Sequence, residues 1–127
     1  MMIENSYVTK GSIYLVNLGC ERNGNVQNGG KTGVRPCLVM NNKIACIYSP
    51  VLLVVPITSS TVKIHKHIPT HLIIDEGLAR KSVAMFEQII TVNRSQLLTK
   101  ICTLSDELME KANQKIEIAF GLCPTFV

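Results

Sequence analysis

Apolar residues in this chain fall into several short runs, followed by one run with helical spacing. The short runs are rich in Val, Ile and Tyr, which favour strands. We predict strands over Gly11–Leu18, Cys37–Asn41, Val51–Ile57, His71–Asp75, Ser82–Val92 and Lys100–Thr103. The run Val51–Ile57 is apolar on both faces and is therefore expected to be buried on both. Pro56 cannot donate to a strand ladder, so it marks an edge, an end or a bulge.

The long run Ser82–Val92 carries two adjacent polar residues. Alternation places Glu87 and Gln88 on opposite faces, and each interrupts an otherwise apolar face. At least one of them is therefore expected to be partly buried and to need hydrogen-bond partners. Glu87 is interpreted as a structural partner of a nearby cation.

A single long helix is predicted near the end of the chain. Ser105 is a suitable N-cap, and Asp106 and Glu107 suit the positive end of a helix dipole. One apolar stripe follows, and Gly121 and Pro124 end the helix. Several strands with one terminal helix predict a mostly β protein with some α, a small partly closed β-barrel against which the helix packs. We expect residues 1–127 to form a single domain.

The connections between these elements are predicted to be turns and loops. Gly19–Gly33 is rich in Gly and Asn and predicts a long loop, which in a compact domain is usually functional or disordered. Asn41–Pro50 and Asn93–Leu97 are predicted to be turns. Four hydroxyl residues, Thr58, Ser59, Ser60 and Thr61, follow the third strand.

Composition narrows the classes of protein that fit. Hydrophobic residues make up 46% of 127 residues and the net charge is +4, which suits a globular protein and is compatible with a polyanionic partner. The five cysteines form no CxxC pair, so neither a disulfide scaffold nor a zinc knuckle is expected. The start lacks the features of a secretory signal, and no apolar run is long enough to span a bilayer. We therefore expect a soluble cytoplasmic protein with no membrane association.

Arg35 stands where the glycine-rich loop ends and a strand begins. Pro36 has a fixed φ and favours extended geometry at Arg35, so the guanidinium is held at the mouth of a strand. This position suits a group that meets a phosphate, but on local sequence alone an ordinary solvated arginine at a strand end is the better explanation.

Six stretches, in order, resemble the MazF/PemK-type toxins of bacterial toxin–antitoxin pairs. They cover roughly residues 11–121: Gly11-Ser12-Ile13-Tyr14-Leu15-Val16-Asn17-Leu18, Gly33-Val34-Arg35-Pro36, Tyr48-Ser49-Pro50, Pro56-Ile57-Thr58-Ser59, Pro69-Thr70-His71 and Phe86-Glu87-Gln88-Ile89. The first loop departs from the pattern, since Lys31-Thr32 is inserted and Gly24-Asn25-Val26-Gln27 matches only in part. The cleavage sequence of the family therefore cannot be carried over.

The resemblance implies an SH3-like barrel of the CcdB/MazF kind, acting as a homodimer. It implies an endoribonuclease that cuts single-stranded RNA at a short sequence without a metal or other cofactor, and a cognate antitoxin that inhibits it. It implies catalytic roles for Arg35 and Thr58. RNA contacts are expected from Gln27, Ser59, Lys63 and Gln88.

Such a reaction uses the ribose 2′-OH as nucleophile and leaves a 2′,3′-cyclic phosphate and a 5′-OH. Arg35 fits charge stabilisation on phosphorus, because its planar fork matches phosphate oxygens and stays charged. Thr58 is a poor base and is interpreted as an orienting hydroxyl, although capping a turn is the commoner fate of such a residue. Gln88 either reads a base edge or bonds to backbone.

The histidines His65, His67 and His71 raise the possibility of a metal site. No carboxylate lies close to them in the sequence before Asp75, and no cysteine completes a ligand set, so no metal is predicted. With Lys63 and Lys66, they are expected to add positive field for an RNA backbone.

Two other functions fit the same fold. A CcdB-like toxin poisons DNA gyrase without catalysis, but that activity is associated with a terminal Trp-Gly-Ile, whereas this chain ends Thr125-Phe126-Val127 and has no tryptophan. A simple SH3-like binding module is not excluded by fold alone.

Overall fold

The computed structural model describes residues 8–19, 33–60 and 67–122. In chain order these form β1 (Ser12–Asn17), β2 (Val34–Val39), α1 (Lys43–Tyr48), β3 (Val51–Thr58), β4 (His71–Ile74), β5 (Ser82–Met85), β6 (Ile90–Asn93), β7 (Leu97–Thr103) and α2 (Asp106–Ala119). Single 3-10 turns at Phe86–Gln88 and Arg94–Gln96 lead into β6 and β7.

The seven strands form one antiparallel sheet. Its main path runs β4-β5-β3-β2-β1-β7, and β6 pairs with β3 beside that path. No pairing among the described residues joins β4 to β7, so this sheet is not closed. With α2 packed against it, the arrangement confirms the small, partly closed barrel-like fold with a C-terminal helix.

Pro56 lies where one edge of β3 changes partner. The first half of β3 pairs with β6 through Val51–Val54, and its end pairs with β5 through Ile57 and Thr58. Pro56 falls between these two pairings and faces Cys37 of β2 on the other edge. The missing N–H is tolerated at this break in the ladder, as the sequence predicted for a bulge or strand end.

The prediction of one long strand over Ser82–Val92 is wrong. β5 ends at Met85, the 3-10 turn follows, and β6 begins at Ile90. Ile57 pairs with Ala84 and Val54 pairs with Ile90, so three steps along β3 correspond to six steps along its partner, and the turn takes up the three extra residues. Gln88 is half-buried and Glu87 is exposed, which confirms that at least one of the two polar residues is partly buried.

The prediction that Asn41–Pro50 is a turn is also wrong, because α1 lies within it. The side chain of Asn42 caps α1 by accepting from the N–H of Ala45 at 2.8 Å. At the other end, the guanidinium of Arg94 donates to the carbonyls of Cys46 and Ser49, each at 2.7 Å. Because Arg94 is distant from α1 in the sequence, no local sequence pattern predicts this contact.

Two larger apolar clusters lie on opposite faces of the central strands. Leu38 and Val55 belong to the cluster that α2 covers with Leu108 and Ala112. The neighbouring residues of β2 and β3 belong to the other cluster, which includes Cys46 of α1. The first half of β3 is less covered than predicted, since Val51 and Leu53 are exposed.

The helix α2 has the ends that the sequence predicts. Ser105 is its N-cap and accepts from the N–H of Leu108 at 3.2 Å. After the helix, Gly121 has a φ of +74°, and the N–H of Leu122 donates to the carbonyl of Glu117 at 2.8 Å. This is a Schellman C-cap, which favours glycine at the position with positive φ.

Candidate active site

A cleft of about 520 Å³ opens where β2 begins and β3 ends. Residues 33–36 form one side, residues 57–59 a second, and the β4–β5 loop with Ser82 a third; Ile101 of β7 completes it. Its size lies in the range usual for small-molecule sites. The cleft brings together the sequence-predicted residues Arg35, Thr58 and Ser59.

The strand register explains why Arg35 and Thr58 meet. β2 and β3 are antiparallel, and Cys37 pairs with Pro56. Continuing that register by two residues on each strand sets Arg35 across from Thr58, on the same face of the sheet. Arg35 is half-buried and lines the cleft.

The hydroxyl of Thr58 already has one hydrogen bond. Its Oγ1 accepts from the N–H of Ser60 at 3.3 Å, which is the turn-capping role that its position favours. Accepting this bond leaves the hydroxyl proton free to donate. Thr58 can therefore cap the turn and still donate to an oxygen in the cleft, and the exposed Ser59 adds a second hydroxyl.

Cys37 is close to Arg35 but is not a nucleophile. Burial raises the pKa of its thiol to about 12, although the Arg35 charge acts in the opposite direction. The thiol stays protonated at neutral pH, and it points to the carbonyl of Arg35 with an S···O distance of 3.8 Å. Covalent catalysis through this cysteine is therefore excluded.

The other predicted residues do not all join the cleft. Gln88 lies beyond the far end of β5, where its amide donates to Glu87 Oε2 at 3.3 Å. Glu87 also accepts from Thr70 Oγ1 at 2.7 Å and pairs with His71 Nε2 at 3.0 Å. Glu87 thus has Thr70 and His71 as structural partners, and its pairing with a cation stays a prediction. Gln27, Lys63 and His65 lie outside the described residues.

Hydrogen bonding controls the charge of Glu87. Burial alone would raise its pKa, but the hydrogen bonds from Thr70 and His71 outweigh burial and hold the pKa below its usual value. The carboxylate is therefore ionised at neutral pH. Within the described ranges, no three His, Cys, Asp or Glu side chains come together as a metal site.

Arg80 lines the cleft but was missed in the sequence analysis. It lies in the β4–β5 loop, and its carbonyl accepts from the buried hydroxyl of Ser82 at 2.9 Å. The only local feature of the sequence that points to Arg80 is its positive charge in a glycine-containing loop before a strand. Nothing in its spacing connects it with Arg35.

The family model for PemK-like, MazF-like toxins of type II toxin–antitoxin systems matches residues 9–120. This chain belongs to that family. Endoribonuclease EndoA of Bacillus subtilis (strain 168) is 36% identical over 118 residues, covering 91% of this chain and 96% of that protein. Endoribonuclease MazF of Staphylococcus saprophyticus is 35% identical over 117 residues, covering 89% and 91%.

Solved structures of MazF/PemK-family toxins share the fold. An endoribonuclease in complex with its cognate antitoxin, from a mycobacterial species, superposes with a TM-score of 0.73 at 19% identity, covering 91% of this chain and 97% of that one. MazF from Deinococcus radiodurans gives a TM-score of 0.70 at 16% identity, covering 91% and 97%. The family match and the two relatives named endoribonucleases favour the MazF-like interpretation over the CcdB-like alternative. Neither helix in the described ranges has the length and hydropathy of a membrane span.

Proposed function

We propose that this protein is the toxin of a toxin–antitoxin pair and cuts single-stranded RNA without a metal ion. The observation that carries the proposal is the placement of Arg35 and Thr58 in one cleft, on adjacent antiparallel strands. Relatives named endoribonucleases, matched over most of their length, support the same conclusion.

In this mechanism the ribose 2′-OH attacks the adjacent phosphorus, and the bond from phosphorus to the 5′-oxygen breaks. The 2′-OH gives up its proton and the leaving oxygen gains one, so the products are a 2′,3′-cyclic phosphate and a 5′-OH. Arg35 stabilises the negative charge that builds on the phosphate oxygens, because its charge persists at all working pH values. Thr58 keeps its proton and either donates a hydrogen bond to a phosphate oxygen or orients the 2′-OH.

The wider assembly follows from the same proposal. Ser59, Gln27, Lys63 and Gln88 contact RNA outside the bond that is cut. The single-domain chain acts in the cytoplasm as a homodimer, in keeping with the symmetry of most oligomers. A cognate antitoxin inhibits it, as in the mycobacterial complex whose fold it shares.

The test is incubation of the purified protein with a long single-stranded RNA in excess EDTA, with the new ends mapped. We expect cuts at a recurring short sequence that leave a 2′,3′-cyclic phosphate. Arg35→Ala should lower the rate roughly a hundredfold or more, and Arg35→Lys should recover only part of it because the planar fork is lost. The control is Lys43→Ala, since Lys43 is exposed at the start of α1 and does not line the cleft.

Two outcomes would count against the proposal. Intact RNA across many sequences would leave a protein that binds without cutting. Cleavage by Arg35→Ala at the wild-type rate would mean that the site lies elsewhere.

A further inference from the structure

The β4–β5 loop is seated firmly against the rest of the cleft. Gly77 has a φ of +77°, and a Cβ added there would lie 2.8 Å from the Sγ of Cys102 on β7. At the other end, the hydroxyl of Ser82 holds the carbonyl of Arg80. The loop is thus fixed to β7 and to the start of β5, so the position of Arg80 at the cleft is defined by packing.

The charge of Arg80 is available to a ligand. Arg80 is exposed, and no carboxylate in the described part of the chain pairs with it. None of the described residues that line the cleft is acidic, and two of them, Arg35 and Arg80, are arginines. The guanidinium of Arg80 therefore adds positive charge to the cleft, and its planar fork matches the oxygens of a phosphate group.

The same cleft has an apolar side. Val34 and Ile101 are exposed, and Leu78 is half-buried. Exposed apolar side chains that lie together beside charged groups are typical of ligand-binding surfaces. A nucleotide combines a charged phosphate with a flat base whose faces are weakly hydrated, and therefore suits both parts of this cleft.

We propose that Arg80 binds a phosphate next to the one that is cut, while the base of that nucleotide lies against Val34, Leu78 and Ile101. Arg35 acts on the bond that breaks, and Arg80 positions the strand. This inference rests on the proposed ribonuclease function, and it assigns Arg80 as a substrate-binding residue.

The first measurement compares Arg80→Ala with Lys81→Ala. Lys81 carries the same charge one residue further along and does not line the cleft, so it is a matched control. The probe is an RNA oligonucleotide that contains the mapped cut site and a single 2′-deoxy substitution there, which prevents cleavage. Arg80→Ala should weaken binding about tenfold and should lower the slope of log K against log salt by about 0.7, as expected when one phosphate contact to a single strand is lost. Lys81→Ala should change affinity less than twofold.

A second measurement locates the phosphate. A methylphosphonate is placed on one side of the cut site and then on the other, which removes one backbone charge at a time. At one of the two positions, the methylphosphonate should weaken binding to the wild type about as much as the Arg80→Ala mutation does. The same methylphosphonate should not weaken binding to Arg80→Ala any further. In cleavage assays on the all-ribose RNA, Arg80→Ala should raise KM and leave kcat within about threefold.

Equal affinity and salt slope for Arg80→Ala and Lys81→Ala would overturn the inference. The inference would also be overturned if each methylphosphonate weakened binding to the wild type and to Arg80→Ala by the same factor. These failures differ from failure of the proposed function, because in them the wild type still cuts RNA and Arg35→Ala does not.

Discussion

Replacement of Gly77 by alanine tests how the cleft is built. Two costs add at this position. A residue with a side chain at a φ of +77° is strained by about 1–2 kcal/mol. The new methyl group would also meet the Sγ of Cys102 at 2.8 Å, which is closer than real Cβ contacts allow, and its Cβ at 3.3 Å, which is tighter than most of them.

The chain contains a control that separates these two costs. Gly121 has a φ of +74°, and a Cβ added there meets nothing within 4 Å. Gly121→Ala should therefore lower the free energy of unfolding by the backbone cost alone, about 1–2 kcal/mol. Gly77→Ala should lower it by about 2–5 kcal/mol, because crowding in a packed site typically costs a further 1–3 kcal/mol.

The measurement is urea unfolding at a fixed protein concentration, followed by circular dichroism. A double-mutant cycle with Cys102→Ala isolates the contact, since that change removes the sulfur that the new methyl group meets. In the Cys102→Ala background, Gly77→Ala should cost about 1 kcal/mol less than it does in the wild type. If Gly77→Ala costs no more than Gly121→Ala, or if the cycle shows no coupling, the loop that carries Arg80 is not seated on β7 in the way described.

Two further changes test contacts outside the cleft. Arg94→Ala removes hydrogen bonds from a guanidinium to the carbonyls of Cys46 and Ser49, so we expect the free energy of unfolding, measured in urea, to fall by about 2–3 kcal/mol. Arg94→Lys should recover less than half of that lost stability. A loss under about 0.5 kcal/mol for Arg94→Ala would contradict this role. The pKa of Glu87 in the folded protein lies below its ordinary value. Its ionised form therefore stabilises the fold at pH values above the unfolded-state pKa, and this contribution disappears as the pH falls through the folded-state pKa. The stability difference between wild type and Glu87→Gln should therefore shrink in urea titrations as the pH falls below the ordinary carboxyl value of 4.5. A difference that stays constant with pH would refute this, and Glu110→Gln on α2 is the exposed control.

The elements that the sequence predicts correctly have local causes. The N-cap at Ser105 and the C-cap at Gly121 depend on residues within one or two turns of α2. The strands are recognisable because their β-branched runs are bounded by glycine, proline or polar residues. Arg35 was found because proline and a glycine-rich loop frame it, although its pairing with Thr58 was reached only through family resemblance.

The errors have non-local causes. The apolar alternation continues through Phe86, but β5 and β6 pair with β3 in registers that differ by three residues, and no local pattern shows this shift. The short helix α1 depends on Arg94, which lies 45 residues after Ser49. Arg80 reaches the cleft because its loop packs on β7. In each case the contact that decides the structure joins residues that are far apart in the sequence, so a short stretch of sequence cannot predict it.

The register between β2 and β3 links the core to the site. Leu38 pairs with Val55 and both face the α2 side, whereas Val39 pairs with Val54 and both face the other cluster. A slip of one residue would put a residue of one cluster opposite a residue of the other, and burial therefore fixes the register. Two residues further along β2 and β3 from the Cys37–Pro56 pair, the same register sets Arg35 across from Thr58. The apolar residues that stabilise the sheet therefore also align the two groups proposed to act on the phosphate, so a core substitution that shifted this pairing would disrupt the site without touching it.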